Sequence, residues 1–245
     1  MPLTDSGAGQ SLPGTAPVDV LVCDYGGVLT NPLIETFTTF SQTTGLSLEA
    51  LGGALAAHTE KYGKPPMAAL EVAEITEAEF VERLLPFLPE EAAEVLSGQP
   101  FGELWFRGRL PNQELIDFLK ELREGGVRLA MLTNNVVEWR PRWRAQMPVD
   151  ELFELVVDSS EEKVRKPDPE IYQRLVSRLG VPAERVLLLD DTEENLVAAR
   201  EQGLQALLFQ DTAQAVAGIC AALGIEVPER FAPAPVEDLT AGGVG

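Results

Sequence analysis

Five short apolar runs, three of which stop abruptly at side chains suited to chemistry, constrain this chain more than any other feature. They are Val20–Cys23, Val127–Leu132, Phe153–Val157, Val186–Leu189 and Ala206–Phe209. The first stops at Asp24, the second at Thr133 and the fourth at the pair Asp190 and Asp191. Runs this apolar suit strands buried on both faces, and from residue 109 onward they alternate with segments of helical periodicity. That alternation predicts a mostly parallel sheet with right-handed crossovers and helices on both faces. In such a sheet the carboxyl ends of the strands share one edge, where ligands bind. Asp24, Thr133 and the Asp190/Asp191 pair are therefore expected to meet in one crevice.

The segments between the strands can be read for their ends. Leu33, Phe37 and Phe40 recur at helical spacing and Gly45 closes that helix, while Ser47 can cap the next. Thr76 and Glu79 form a capping box ahead of Phe80, Leu84 and Leu85. Residues 32–107 show helical signals and no strand, so they read as a helical cap inserted between the first strand and its crossover. Leu115, Phe118, Leu119 and Leu122 make a helical stripe ended by Gly125 and Gly126. Asp168 caps a further helix with Pro169 in its first turn and Ile171, Tyr172, Leu175 and Leu179 facing inward. Helices from about Glu194 to Gln202 and from Ala213 to Leu223 complete the pattern. The expected organisation is a disordered arm over 1–17, a core over 18–31 and 108–226, the cap, and a disordered tail over 227–245.

Lys and Arg number 19 against 39 Asp and Glu, a formal net charge of −20. This excludes sequence-independent nucleic-acid binding and docking on anionic lipid, both of which need clustered basic residues. A phosphate-bearing substrate would need a small local cationic site. Cys23 lies in a strand and Cys220 in an apolar helical run, so both read as buried hydrophobes. The N-terminal segment has neither the basic start nor the apolar stretch of a secretory signal, and no run approaches a membrane span. A soluble cytoplasmic protein, monomer or homodimer, is expected.

Three carboxylates gathered at strand ends repel one another unless a cation holds them, and Mg²⁺ prefers such oxygen donors. A carboxylate can also attack phosphorus as a nucleophile. The Thr133 hydroxyl, the amides around Asn134 and the Lys166 ammonium suit the developing negative charge. Each residue also has a plainer reading: Asp24 as a turn acid, Thr133 as a helix cap, Lys166 as a solvated charge and the acidic pair as a complement to a helix dipole.

Taken together, DYGGV at Asp24–Val28, LTN at Leu132–Asn134, KPDPEIY at Lys166–Tyr172 and LLLDDTEEN at Leu187–Asn195 resemble the four motifs of the haloacid dehalogenase superfamily. The likeness covers about Val18 to Ile225, and the long gap from 24 to 133 fits members with a helical cap between the first two motifs. Leu70–Phe80 also resembles the cap of phosphatase-like domains related to epoxide hydrolase N-terminal domains and of those fused to acyl-CoA dehydrogenases. The resemblance implies a Rossmann-like three-layer α/β core with an inserted α-helical cap. It implies that Asp24 is nucleophile and metal ligand, with the Gly26 carbonyl, Asp190 and Asp191 completing a Mg²⁺ site. Gly27, Thr133, Asn134 and Lys166 would hold the phosphoryl group, Thr133 and Lys166 with catalytic roles, and Asn195 would orient the acidic loop.

One position departs from the pattern. Most phosphatases of this kind carry a second Asp two residues after the nucleophile as general acid and base, and here Gly26 stands there. Such help is worth about 10²–10⁴-fold, so a slow enzyme is expected. The leading expectation is a Mg²⁺-dependent phosphatase of a small phosphorylated metabolite working through an aspartyl-phosphate. The alternatives are a metal-independent 2-haloacid dehalogenase and a non-catalytic phosphometabolite-binding protein. Of the remaining features, His58 reads as a surface or cap-core residue, and Glu71 and Glu74 either face the site from the cap or are solvated. The cluster Trp139, Arg140, Arg142, Trp143 and Arg144 reads as a surface helix over packed aromatics.

Overall fold

The computed structural model describes residues 17–232; all but the last residue of the arm expected over 1–17 and most of the tail expected over 227–245 lie outside the described residues. Five strands, β1 (Val20–Cys23), β2 (Arg128–Thr133), β3 (Leu155–Asp158), β4 (Val186–Asp190) and β5 (Gln205–Leu208), form one parallel sheet in the order β3-β2-β1-β4-β5. β1 is central, with Cys23 in register with Met131 on one side and Leu189 on the other. Strand order therefore reverses at β1, which puts its carboxyl end at the switch point of the sheet.

Alternate side chains of the strands feed two cores. Leu21, Cys23, Leu129, Met131, Leu187 and Leu189 point to one face, where α7 (Gln113–Glu124) and α13 (Thr212–Leu223) cover them. Val20, Val22, Ala130, Leu132, Val186 and Leu188 point to the other, against α11 (Pro169–Leu179) and α12 (Glu193–Glu201). This is a three-layer α/β arrangement, and both Cys23 and Cys220 are buried free thiols within its first core.

Between β1 and α7 lie six helices: α1 (Leu33–Thr44), α2 (Leu48–Tyr62), α3 (Pro66–Glu71), α4 (Glu77–Leu84), α5 (Glu90–Gly98) and α6 (Phe101–Phe106). The end signals read from the sequence act as expected. Gly45 takes the left-handed conformation at φ 72°, Ser47 accepts from the Ala50 amide, and both halves of the Thr76/Glu79 capping box form. Phe40, Phe80, Phe101 and Trp105 pack this region through edge, tilted and stacked ring contacts.

Two expectations differ in extent. β3 begins at Leu155 and not at Phe153, because α9 (Val149–Leu152) precedes it and the Phe153 amide donates to the Val149 carbonyl. Order also extends past residue 227: Phe231 is buried edge-on against Phe118, and Arg230 pairs with Glu121. Apolar contact with α7 holds this stretch, which its proline-rich composition conceals.

Candidate active site

β1 delivers Asp24 to the sheet edge in extended conformation, its amide donating to the Leu189 carbonyl at 2.9 Å. The chain then turns through Tyr25–Leu29, and Gly27 adopts φ 83°. A side chain at Gly27 would be strained in that conformation and would collide with the Asp191 carboxylate. The glycine is thus what lets the Asp24 turn and the Asp190/Asp191 turn lie against each other. Its amide donates to the Thr30 hydroxyl at 3.0 Å.

Lys166 is the centre of the cluster. Its side chain is 1% exposed, and its Nζ lies 2.8 Å from Asp24 Oδ1 and 2.6 Å from Asp190 Oδ2. Asn134 fixes the lysine through its backbone, donating to the Lys166 carbonyl at 3.0 Å and accepting from the Lys166 amide at 2.9 Å. The Asn134 side chain thereby positions the ammonium. The Lys166–Pro167 peptide is cis. Asp190, fully buried, also accepts from Asn195 Nδ2 at 3.0 and 3.2 Å and from the Thr192 amide at 2.9 Å. Asn195 thus holds the acidic turn, as expected of it. Thr133 at the end of β2 is fully buried, and its hydroxyl has no hydrogen-bond partner. It is not acting as a helix cap.

Burial, helped by Asp190 and Asp191, lifts Asp24 to about 7 despite the Lys166 ammonium beside it. Burial and Asp190 likewise hold Asp191 above its ordinary value. For Lys166, burial opposes the charge, but Asp190 and Asp24 outweigh it and raise the group. Three carboxylates with one ammonium leave the cluster net negative. Oxygen atoms of Asp24, Asp190 and Asp191 lie within 4.8 Å of one another. An all-carboxylate donor set that resists full ionisation without a further cation fits a hard divalent ion such as Mg²⁺.

A cavity of about 410 Å³ opens above the cluster. Its floor is Asp24, Gly26, Lys166 and Asp191, and its far wall is Leu33, Phe37, Leu55, Phe101, Trp105 and Trp139. Glu71 reaches this cavity from α3, paired with Arg165 at 2.8 Å, and burial raises it above the usual carboxylate range. Glu74 does not line the cavity; it is exposed and pairs with Lys64. His58 is buried in the cap, with its ring against Tyr62. The 139–144 cluster divides. Arg140, Arg142 and Arg144 pair with Asp158, Glu103 and Asp150 over a buried Trp143, while Trp139 faces the cavity.

Two residues escaped the sequence reading. Glu77, beside the capping box, is buried and accepts from Trp139 Nε1 and the Gly102 amide. Arg109 lines the cavity next to Gly26, and a Cβ on Gly26 would lie 2.9 Å from its Nη2. No local pattern announces either, since each acts across loops distant in sequence.

Residues 18–203 match the family model described as "haloacid dehalogenase-like hydrolase". The chain is 30% identical over 128 residues to bifunctional epoxide hydrolase 2 of Rattus norvegicus, covering 51% of this chain and 23% of that protein's length. It is 31% identical over 171 residues to a phosphoserine phosphatase of Thermus thermophilus, covering 65% of each. Among solved structures, a haloacid dehalogenase family enzyme of Bacteroides thetaiotaomicron in complex with magnesium and inorganic phosphate superposes with a TM-score of 0.57 at 22% identity, over 79% of this chain and 94% of that one. With its sheet order, its inserted helices and a family match spanning most of its length, the chain belongs to the haloacid dehalogenase-like hydrolases.

Proposed function

We propose that the protein is a Mg²⁺-dependent phosphatase of a small phosphorylated metabolite. The observation that carries this reading is the placement of Lys166 within ion-pair distance of both Asp24 and Asp190, with Asp191 in the same cluster. Two relatives support it, one a phosphoserine phosphatase and one a fold neighbour that binds magnesium and phosphate. Asp24, the Gly26 carbonyl, Asp190 and Asp191 would hold the ion. When bound, it neutralises the carboxylates and the phosphoryl oxygens together.

The chain's own residues supply the rest. Asp24 attacks phosphorus from the end of β1 and carries the phosphoryl group as an aspartyl-phosphate, which water then cleaves. Lys166 and the unpartnered Thr133 hydroxyl take the phosphoryl oxygens, aided by amides of the Gly27 and Asn134 loops. Asn134 and Asn195 hold Lys166 and Asp190 in place, and the apolar wall excludes water. The test is phosphate release from 4-nitrophenyl phosphate with and without Mg²⁺. Release that needs the ion and is abolished in Asp24→Asn is expected; release indifferent to that substitution would remove the mechanism.

A further inference from the structure

Gly26 leaves a question of chemistry, since the position that would hold a proton donor has no side chain. The space is not empty. A Cβ at Gly26 would stand 2.9 Å from Arg109 Nη2, so one nitrogen of the guanidinium borders the space that a side chain at position 26 would enter. Arg109 enters from the loop between α6 and α7, 83 positions later in the chain (26 to 109).

The state of this arginine is unusual. It is 7% exposed, and burial lowers its pKa against the opposing pull of Tyr25, Asp24 and Asp191, yet among the described residues it forms no ion pair. Its one side-chain hydrogen bond, Nη1 to the Thr36 hydroxyl, is long at 3.4 Å, and its Nε has no partner. The guanidinium lies 5.8 Å from the ring centres of both Tyr25 and Trp105, which present no formal charge to it. Its backbone is held by Gln146, which donates to the Arg109 carbonyl at 2.6 Å and accepts from the Tyr25 hydroxyl at 2.5 Å. A buried cation offset only by carboxylates out of contact is costly, and it is tolerated where an anion arrives from outside. Arg109 lines the same cavity as Asp24, so the arriving anion is the substrate.

We propose that Arg109 replaces the missing side chain at position 26 as a fixed cation facing the leaving oxygen. The enzyme therefore selects phosphates whose leaving groups depart as stable anions: aryl, enol and acyl phosphates in preference to alkyl ones. A guanidinium stabilises negative charge but does not give up a proton in a protein, whereas a carboxylic acid does. The step balances without a proton donor. The Asp24 carboxylate forms the new O–P bond and the ester O–P bond breaks, its electron pair leaving with the oxygen as an anion beside Arg109. That anion leaves as such; water then attacks the aspartyl-phosphate, its oxygen going to phosphorus and the acyl O–P bond breaking, which restores the Asp24 carboxylate and releases dihydrogen phosphate. The inference rests on the phosphatase reading given above.

The test is kcat/KM of the full chain with Mg²⁺ across 4-nitrophenyl, phenyl and ethyl phosphate, with acetyl phosphate as the acyl member. A fall of about 10²–10⁴-fold beyond that of an enzyme with a proton donor is expected from the first to the ethyl ester, the worth of general acid help. Gly26→Asp combined with Arg109→Ala, which supplies an acid and clears its space, should recover most of the ethyl phosphate rate relative to the nitrophenyl rate. Arg109→Ala alone should lose at least tenfold more on ethyl than on nitrophenyl phosphate, with Arg109→Lys between. A spread under tenfold in the unmodified protein, or an equal loss on every ester in Arg109→Ala, overturns the proposal while leaving the phosphatase reading standing. No release from any compound, or release surviving Asp24→Asn, overturns both. The unmodified series needs no variant to fold, so it decides by itself if a variant does not.

Discussion

The floor and the far wall of the cavity are built on opposite principles. The floor is polar and over-determined: Lys166 touches two carboxylates, and Asn134 and Asn195 each fix one member of the cluster. Its positions are set by strand ends and tight turns. The far wall is apolar and aromatic, with Phe37, Phe101, Trp105 and Trp139 packed ring against ring. Its shape comes mostly from how the inserted helices settle together, with the buried Glu77 carboxylate anchoring Trp139 and the Gly102 amide as its one polar fixture. On the proposed reading, chemistry belongs to the sheet edge and the shape of the substrate pocket to the packing of the inserted helices. Arg109 is where the two meet, since its loop joins the inserted helices to the core.

Substitutions that separate the two regions should differ in kind as well as size. The largest effect is expected for Lys166→Met. It leaves Asp24 and Asp190 buried without their cation, so urea unfolding in the absence of divalent ions should show a loss of about 3–5 kcal/mol, with phosphate release reduced to background. If added Mg²⁺ restores most of the stability and none of the activity, the two roles of the lysine are resolved. Gly27→Ala should come next. Its left-handed backbone costs a non-glycine residue about 1–3 kcal/mol, and the collision with Asp191 should weaken Mg²⁺ dependence in the same assay. A variant with unchanged metal dependence would show that the turn tolerates separation from Asp191.

On the wall side, Thr76→Ala removes half of a capping box and should lower the melting temperature by the equivalent of about 1 kcal/mol, with kcat on 4-nitrophenyl phosphate unchanged. Loss of kcat there would mean that the inserted helices and the floor are mechanically coupled. The smallest effect concerns His58. Burial, with Arg83 and Lys61 nearby, holds it below its ordinary value. The unfolded chain therefore binds a proton that the folded one refuses, so the contribution is present above about pH 6.5 and is lost as pH falls below it. The slope is at most about 1.4 kcal/mol per pH unit, and His58→Gln should flatten it in melts between pH 5 and pH 8.

The same contrast governs what was legible in the sequence. Asp24, Thr133, Asp190 and Asp191 could be placed together because parallel strands carry their ends to one edge, and the apolar runs mark those strands to within one or two residues. Helix ends were equally readable, since Gly45, Ser47, Asp168 and the Thr76 box act within a few residues of themselves. Arg109 and Glu77 were not, because their partners lie 83 and 62 positions away (Gly26 and Trp139) and a lone charge carries no period. Phe231 was hidden by neighbours that suggest an unstructured tail, although one buried ring contact holds it. The side-chain duties of Asn134 and the Gly27 amide, read as phosphoryl contacts, include internal hydrogen bonds that only coordinates reveal.

The most direct test is chemical. Borohydride reduces an acyl phosphate on an aspartate to homoserine, so the protein, mixed with Mg²⁺ and 4-nitrophenyl phosphate and quenched into borohydride, can be digested and its β1 peptide sequenced by mass spectrometry. Homoserine at position 24, absent when either Mg²⁺ or substrate is withheld, is the predicted result. Continued phosphate release with Asp24 unmodified, or with the label on another residue, would contradict it.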